Sequence, residues 1–353
     1  MRLIKKAMLA RHLGLSFLGV MVAASPTLGQ QAKTKAEYDA YMAFYNEQDL
    51  TAKAALGETF LGEFEDSEFG PASFQLLIDA YARTREWGKV LETADKFGRA
   101  IRDPDARAST FVYQNAIAAA QQANNGEKIL EYGDRILAVD RSNLSVLLTV
   151  SRTIPDNLPA GDAAKERALA RAFDLANRAR IQAQQFFASR PDQFTESQWA
   201  AERAKVDTSI HTTLGTVHLR RTDYDRAIRE YQTVLRFAPR DGNAHFQIGQ
   251  VYELQAAGAS RLVEQAIEEE GETGRADATV LDQLAANRER LQGDVLAQMD
   301  QAIESYARAV AAGGALGDAA RGRLEILYRA KNEDSLEGLA ELIAEKRSEL
   351  TAP

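Results

Sequence analysis

The chain has no cysteine in 353 residues. That excludes disulfides, thiolate chemistry and a lipid-modified cysteine behind a leader. Proline is scarce, eight in all, so long stretches are free to be helical. Tryptophan occurs twice, at Trp87 and Trp199, and both read as packing residues. Strand-like alternation is missing, and after Lys33 the apolar positions recur with a helical period. Motifs that carry chemistry are also missing. There is no Gly-x-Ser-x-Gly elbow, no Gly-x4-Gly-Lys phosphate loop, no dinucleotide Gly-rich turn and no His-Glu-x-x-His. No enzymatic activity and no cofactor are therefore expected.

Positions 1–29 read as a separate object. Arg2, Lys5, Lys6 and Arg11 precede LGLSFLGVMVAA, an apolar run from Leu13 to Ala24, and small residues stand at Ala23, Ala24 and Gly29. That order is the layout of a secretory signal peptide, and the run is short for a membrane span. Cleavage after Ala24 or after Gly29 fits, and 1–29 is taken as the leader. Export without any cysteine suits a bacterial periplasm, where disulfides are optional. Losing the four leader bases leaves 39 basic against 51 acidic residues, a net charge of −12. Such a chain has no counterpart for nucleic acid or anionic lipid. No later segment is apolar for the length a bilayer requires, so no span is expected in the mature chain.

What is present is periodic. Leu214-Gly215, His218, Ala227, Tyr231 and Pro239 fall at helix-turn-helix spacing. Ile248-Gly249 with Tyr252 then restarts the pattern in the same order. Earlier segments keep the register less fully. One pair carries Tyr38, Tyr41, Tyr45, Ala54 and Leu61. The next carries Leu77, Tyr81, Val90, Ala94 and Phe97, and a third carries Ala116, Ala120, Ile129, Gly133 and Ile136. The step from Leu214 to Ile248 is the period of the tetratricopeptide repeat, TPR, and the pattern resembles that family. The units phase as 35–68, 71–104, 110–143, 144–188, 208–241, 242–311 and 318–350 within an array over 30–350. The 144–188 unit is distorted by the loop IPDNLPAGD, and surplus sequence separates it from the unit that begins at Thr208. A helix from Ala163 to about Ala188 is expected after that loop. Thr195 or Ser197 is placed to cap the next helix, and Asp223 to cap the one after. Outer charges at Glu341, Glu345, Lys346, Arg347 and Glu349 suit a solvating end cap.

The 242–311 unit is interrupted. The short step from His218 to Ala227 corresponds, one repeat later, to the step from Tyr252 to Ala302. The second step is longer by the whole of 258–298. This insertion carries one stripe of Leu262, Val263, Ala266 and Ile267 and another of Leu281, Leu284, Leu291 and Val295. Positions 268–274, rich in Glu and Gly, read as a turn between them. A projecting helical hairpin follows, with arms reaching on the order of 30 Å.

The resemblance implies an all-α, right-handed superhelical array of antiparallel helix pairs. It also implies a concave groove, lined by the first helix of each pair, that binds an extended peptide or a helix. By position the groove would present Gln75, Asp79, Ser209, Thr212, Thr216, Asn243, Phe246 and Gln250. Thr212 and Thr216 stand where a carboxylate clamp needs amide or basic side chains, so capture of acidic C-termini is not expected. The three histidines of the mature chain, His211, His218 and His245, read as packing residues, since metal-ligand spacing is lacking. The expected function is a scaffold or adaptor for a protein or peptide partner in the cell envelope. The alternative is a structural protein that self-associates through 258–298.

Overall fold

A computed structural model describes residues 32–272 and 278–351. The leader expected over 1–29 lies outside the described residues. Among the described residues fourteen α-helices follow one another and no strand occurs. The chain divides into two compact units, within which the described residues are 32–185 in the first and 186–272 with 278–351 in the second.

The first unit holds α1 (Lys35–Asn46), α2 (Leu50–Glu63), α3 (Gly70–Thr84), α4 (Trp87–Ala100), α5 (Ala106–Gln122), α6 (Gly126–Val139), α7 (Leu144–Thr153) and α8 (Asp162–Phe186). From α1 to α7 each helix packs on the next, and α3 also packs on α5. Starts are set by polar caps. Side chains of Thr34, Asp49, Asp105, Asn125 and Asn143 accept from free N–H groups of the first turn. The loop after α7 opens with a 3-10 turn, Ile154–Asp156, as its prolines require.

The second unit holds α9 (Glu196–Arg220), α10 (Tyr224–Phe237), α11 (Gly242–Glu272), α12 (Ala278–Ala312), α13 (Gly317–Lys331) and α14 (Leu339–Thr351). Thr195, not Ser197, caps α9. Its hydroxyl accepts from Gln198 N at 3.2 Å, while the Gln198 side chain accepts from Thr195 N at 2.9 Å. The expected cap at Asp223 is not formed. Its carboxylate pairs instead with Arg226 at 3.2 Å and lies 3.5 Å from His218. The surplus length before the strong repeat is taken up by α8 and α9, which run 25 residues each.

One contact defines the pairs of the second unit. Tyr231 of α10 lies so close to Gly215 of α9 that a Cβ there would sit 2.7 Å from the ring. Tyr306 of α12 meets Gly249 of α11 in the same way, at 2.8 Å. Both rings are fully buried. Their hydroxyls are engaged as well: Tyr306 donates to Glu253 at 2.7 Å, and Tyr231 lies 3.2 Å from the Thr216 hydroxyl.

The insertion is a helical hairpin, but it is not a separate body. It is an elongation of the sixth pair, because α11 and α12 run unbroken from the repeat into the arm. The turn expected over 268–274 is not formed by its first five residues. Residues 268–272 are helical, and residues 273–277 lie outside the described residues. The expected apolar stripes form the seam only in part. Ala256, Ala266 and Leu291 are buried, whereas Leu262 and Ile267 are each 49% exposed. The second stripe, Leu281, Leu284, Leu291 and Val295, is buried or half-buried along its length, while the first turns Leu262 and Ile267 outward. Near the tip Arg288 pairs with Glu270 at 3.0 Å.

The last two helices do not pack chiefly on each other. Both lie against α12, through Ala320 and Leu324 of α13 and Leu339 and Ile343 of α14. Lys346, expected among the solvating charges, is buried. Its ammonium is held by Glu349 at 2.8 Å, Glu345 at 3.0 Å and Glu304 at 3.4 Å.

Two outcomes follow from this packing. Gly215→Ala gains about 1 kcal/mol of helix propensity but forces Tyr231 aside, a strain of about 1–3 kcal/mol. Chemical denaturation should show a net loss, relieved when Tyr231→Leu is added. Removal of residues 258–298 obliges residues 253–257, helical here, to help form the new turn. The shortened chain should still unfold cooperatively, with a melting temperature a few degrees lower. Loss of the cooperative transition would show that the arm is part of the core.

Candidate partner-binding faces

Within the second unit the expected site residues fall on two stripes. Ser209, Thr212 and Thr216 share one face of α9, at helical spacing, and Asn243, Phe246 and Gln250 repeat that spacing on α11. The two helices are held by α10, which packs on both. Gln75 and Asp79 belong to α3 of the first unit.

The structure spends several of these side chains internally. Ser209 is buried, and its carbonyl accepts from the Thr213 hydroxyl at 3.0 Å. Thr216 donates to the Thr212 carbonyl at 2.9 Å and also meets the Tyr231 hydroxyl. Phe246 is a core residue, 7% exposed, with its ring 5.5 Å from Tyr306. It does not offer an open apolar face, because the ring fills the space between α11 and α12. Asn243 is exposed, while Thr212 and Gln250 are half-buried. In α3, Gln75 donates to the Pro71 carbonyl at 3.3 Å, and Asp79 pairs with Arg83 at 3.5 Å. The groups left over on α9 and α11 are amides and a hydroxyl. Such groups pair with the N–H and C=O of an extended chain and bring no fixed charge.

The histidines are occupied by three different neighbours. His211 Nδ1 lies 2.6 Å from Glu230, and its ring stacks on Phe237 at 6.1 Å. His245 Nε2 donates to the Pro239 carbonyl at 3.1 Å. His218 is buried beside Asp223. Burial pushes both His218 and His245 below the ordinary value of 6.5.

In the first unit a polar network joins three helices. Asp95 of α4 accepts from Lys128 at 2.9 Å and from the Tyr132 hydroxyl at 2.8 Å, both on α6. Burial acts against the Asp95 charge, but these donors outweigh it and hold the carboxyl below its usual range. Arg135 of α6 donates to the Tyr113 hydroxyl of α5 at 2.9 Å. Tyr132 was not among the expected pairing residues, although it follows Ala116 by the same interval that separates Tyr231 from Gly215. Nor did the sequence point to an open cleft of about 760 Å³ between the α6–α7 turn and α8, lined in part by Arg141, Ser142, Arg178 and Gln182. Arg178 there donates to the Arg141 carbonyl at 2.7 Å. The cue was weak: charged residues around a turn.

No family model matches the chain, and no curated protein matches it either. Among solved structures, a tetratricopeptide repeat protein from Parabacteroides merdae ATCC 43184 is similar. It covers 84% of this chain and 100% of its own, at 10% sequence identity and a TM-score of 0.40. The chain has a TPR-like, all-α fold. That conclusion rests on its own helix pairs and their ring-on-glycine contacts, and the solved structure bears on neither partner nor site.

The buried histidines set a pH dependence. Their folded pKa lies below the unfolded one, so the unfolded chain takes up protons first as pH falls. Their contribution is complete above 6.5 and is lost as pH drops below it. Stability measured from about pH 8 to about pH 5 should fall less in a His218→Gln/His245→Asn chain than in the parent. An unchanged slope would assign the effect to carboxylates.

Proposed function

We propose that this chain is a non-enzymatic scaffold that binds a protein or peptide partner in the bacterial cell envelope. One observation carries the reading. The pair helices α9 and α11 repeat the same i, i+3, i+7 positions one repeat period apart, and the accessible members, Thr212, Asn243 and Gln250, are uncharged hydrogen-bonding groups. A repeated polar stripe suits a ligand that is itself a repeating chain of N–H and C=O groups. Export is supported by the basic-then-apolar leader.

The test is affinity capture from a cross-linked envelope extract with tagged mature protein, compared with a Thr212→Arg/Asn243→Arg variant. Both positions lie outside the buried core, so circular dichroism and melting should match the parent. Phe246 is left intact, because truncating it would open the α11–α12 core. One dominant partner, lost in the variant, is the expected result. Capture that survives both arginines would end the proposal for these faces. Recovery of the chain alone, cross-linked through 258–298, would favour self-association through the elongated pair.

A further inference from the structure

The open cleft of the first unit is built on the second helices of two pairs. Leu137 and Val139 line it from the end of α6, and Arg178 and Gln182 line it from α8. The turn that follows α6 closes it with Asp140, Arg141 and Ser142. The first helices, which carry the expected groove, contribute none of this lining. On α8 basic residues outnumber acidic ones, the reverse of the balance in the whole chain.

The carboxylate of this lining is spent, and its guanidinium groups are not. Asp140 turns back into its own loop. There it accepts from Ser142 N at 3.0 Å, from the Ser142 hydroxyl at 2.8 Å and from the Asn143 amide at 3.2 Å. Arg178 is held in place by one N–H on the Arg141 carbonyl, and its side chain stays 37% exposed. Its ionic contact is with Asp174 on its own helix, at 3.7 Å, and that carboxylate is 66% exposed, so the pair is weak in water. Arg141 is exposed and enters no ion pair among the described residues. Two accessible cations thus stand against one carboxylate that three donors already hold. Beside them the wall is apolar: Leu137 is half-buried, and Val139 is 44% exposed.

We propose that this cleft receives a glutamate side chain of a polypeptide partner, a proposal that rests on the scaffold reading above. An ionised carboxylate only accepts hydrogen bonds, and its two oxygens match the parallel N–H groups of a guanidinium. Glutamate also brings two methylenes, which cover the wall of Leu137 and Val139. Inorganic phosphate would meet the same guanidinium groups but leave that wall in water. Asp174 is the internal competitor, since it draws on Arg178 from the preceding turn of α8.

The experiment titrates acetyl-Leu-Glu-amide into the full chain labelled with 13C-methyl valine, the Val139 resonances being assigned with Val139→Ala. Those resonances should move saturably with the glutamate peptide and stay still with acetyl-Leu-Gln-amide, which keeps the shape without the charge. Inorganic phosphate should bind more weakly than the glutamate peptide. Arg141→Gln and Arg178→Gln should each weaken peptide binding about tenfold. Arg178→Lys, which keeps the charge and loses the fork, should fall between parent and Arg178→Gln. Asp174→Asn should tighten binding. Arg141 is exposed, so its variant tests the cleft even where Arg178→Gln disturbs the turn. Equal response to the glutamine peptide, phosphate binding as tight as the glutamate peptide, or no effect of Arg141→Gln overturns the assignment. If the titration fails while envelope capture persists and is lost in the Thr212→Arg/Asn243→Arg chain, the cleft alone falls and the scaffold reading stands.

Discussion

The second unit depends on a ring packed directly against a glycine. Tyr231 on Gly215 and Tyr306 on Gly249 bring two helix backbones closer than any side chain on the first helix would allow. Close approach then fixes what surrounds it. Ala227 and Ala302 are fully buried in these pairs, and Ile248 and Val251 carry the contact on to the next helix. The hydroxyl of each of these rings reaches a polar group at the edge, Thr216 or Glu253, so burying the two tyrosines orphans neither. Arg323 of α13 pairs with the same Glu253 at 3.1 Å, which extends the link to the following helix.

Elongating one pair keeps this contact and changes what lies beyond it. α11 and α12 continue outward with Ala256, Ala266 and Leu291 buried between them, and the Arg288–Glu270 pair lies near the tip. A charged pair in a helix–helix seam fixes register more than it adds stability. The arm is therefore an aligned extension of the array. The polar stripes on α9 and α11 lie in the same unit.

Much of the fold was legible because repeat pairs are local. The repeat interval, the Leu-Gly and Ile-Gly steps and the late Pro239 all act within a few helical turns, and the corresponding helices are present. Thr195 was legible as a cap because its box with Gln198 closes within one turn. Failures came where a partner distant in sequence decided. Asp223 sits at a helix start but answers to Arg226 and His218. Glu268 to Gly271 have turn-like composition, yet α12 packs along them and keeps them helical. Phe246 occupies a groove position by spacing, but Tyr306, on the far side of the insertion, draws it into the core. Lys346 looked solvated until Glu304 from α12 closed over it.

By itself the sequence determined that this is an all-helical chain of repeating pairs with one pair lengthened by the 258–298 insertion, because period, caps and breakers are properties of neighbouring residues. The acidic balance and the leader reading come from it too, as matters of composition and order. Only the tertiary structure decided which polar side chains remain available. Whether an amide or a hydroxyl is spent inside or left for a partner depends on what the next helix places against it. Arg141 and Arg178, far apart in the chain, meet in one cleft only because α8 folds back beside the α6–α7 turn.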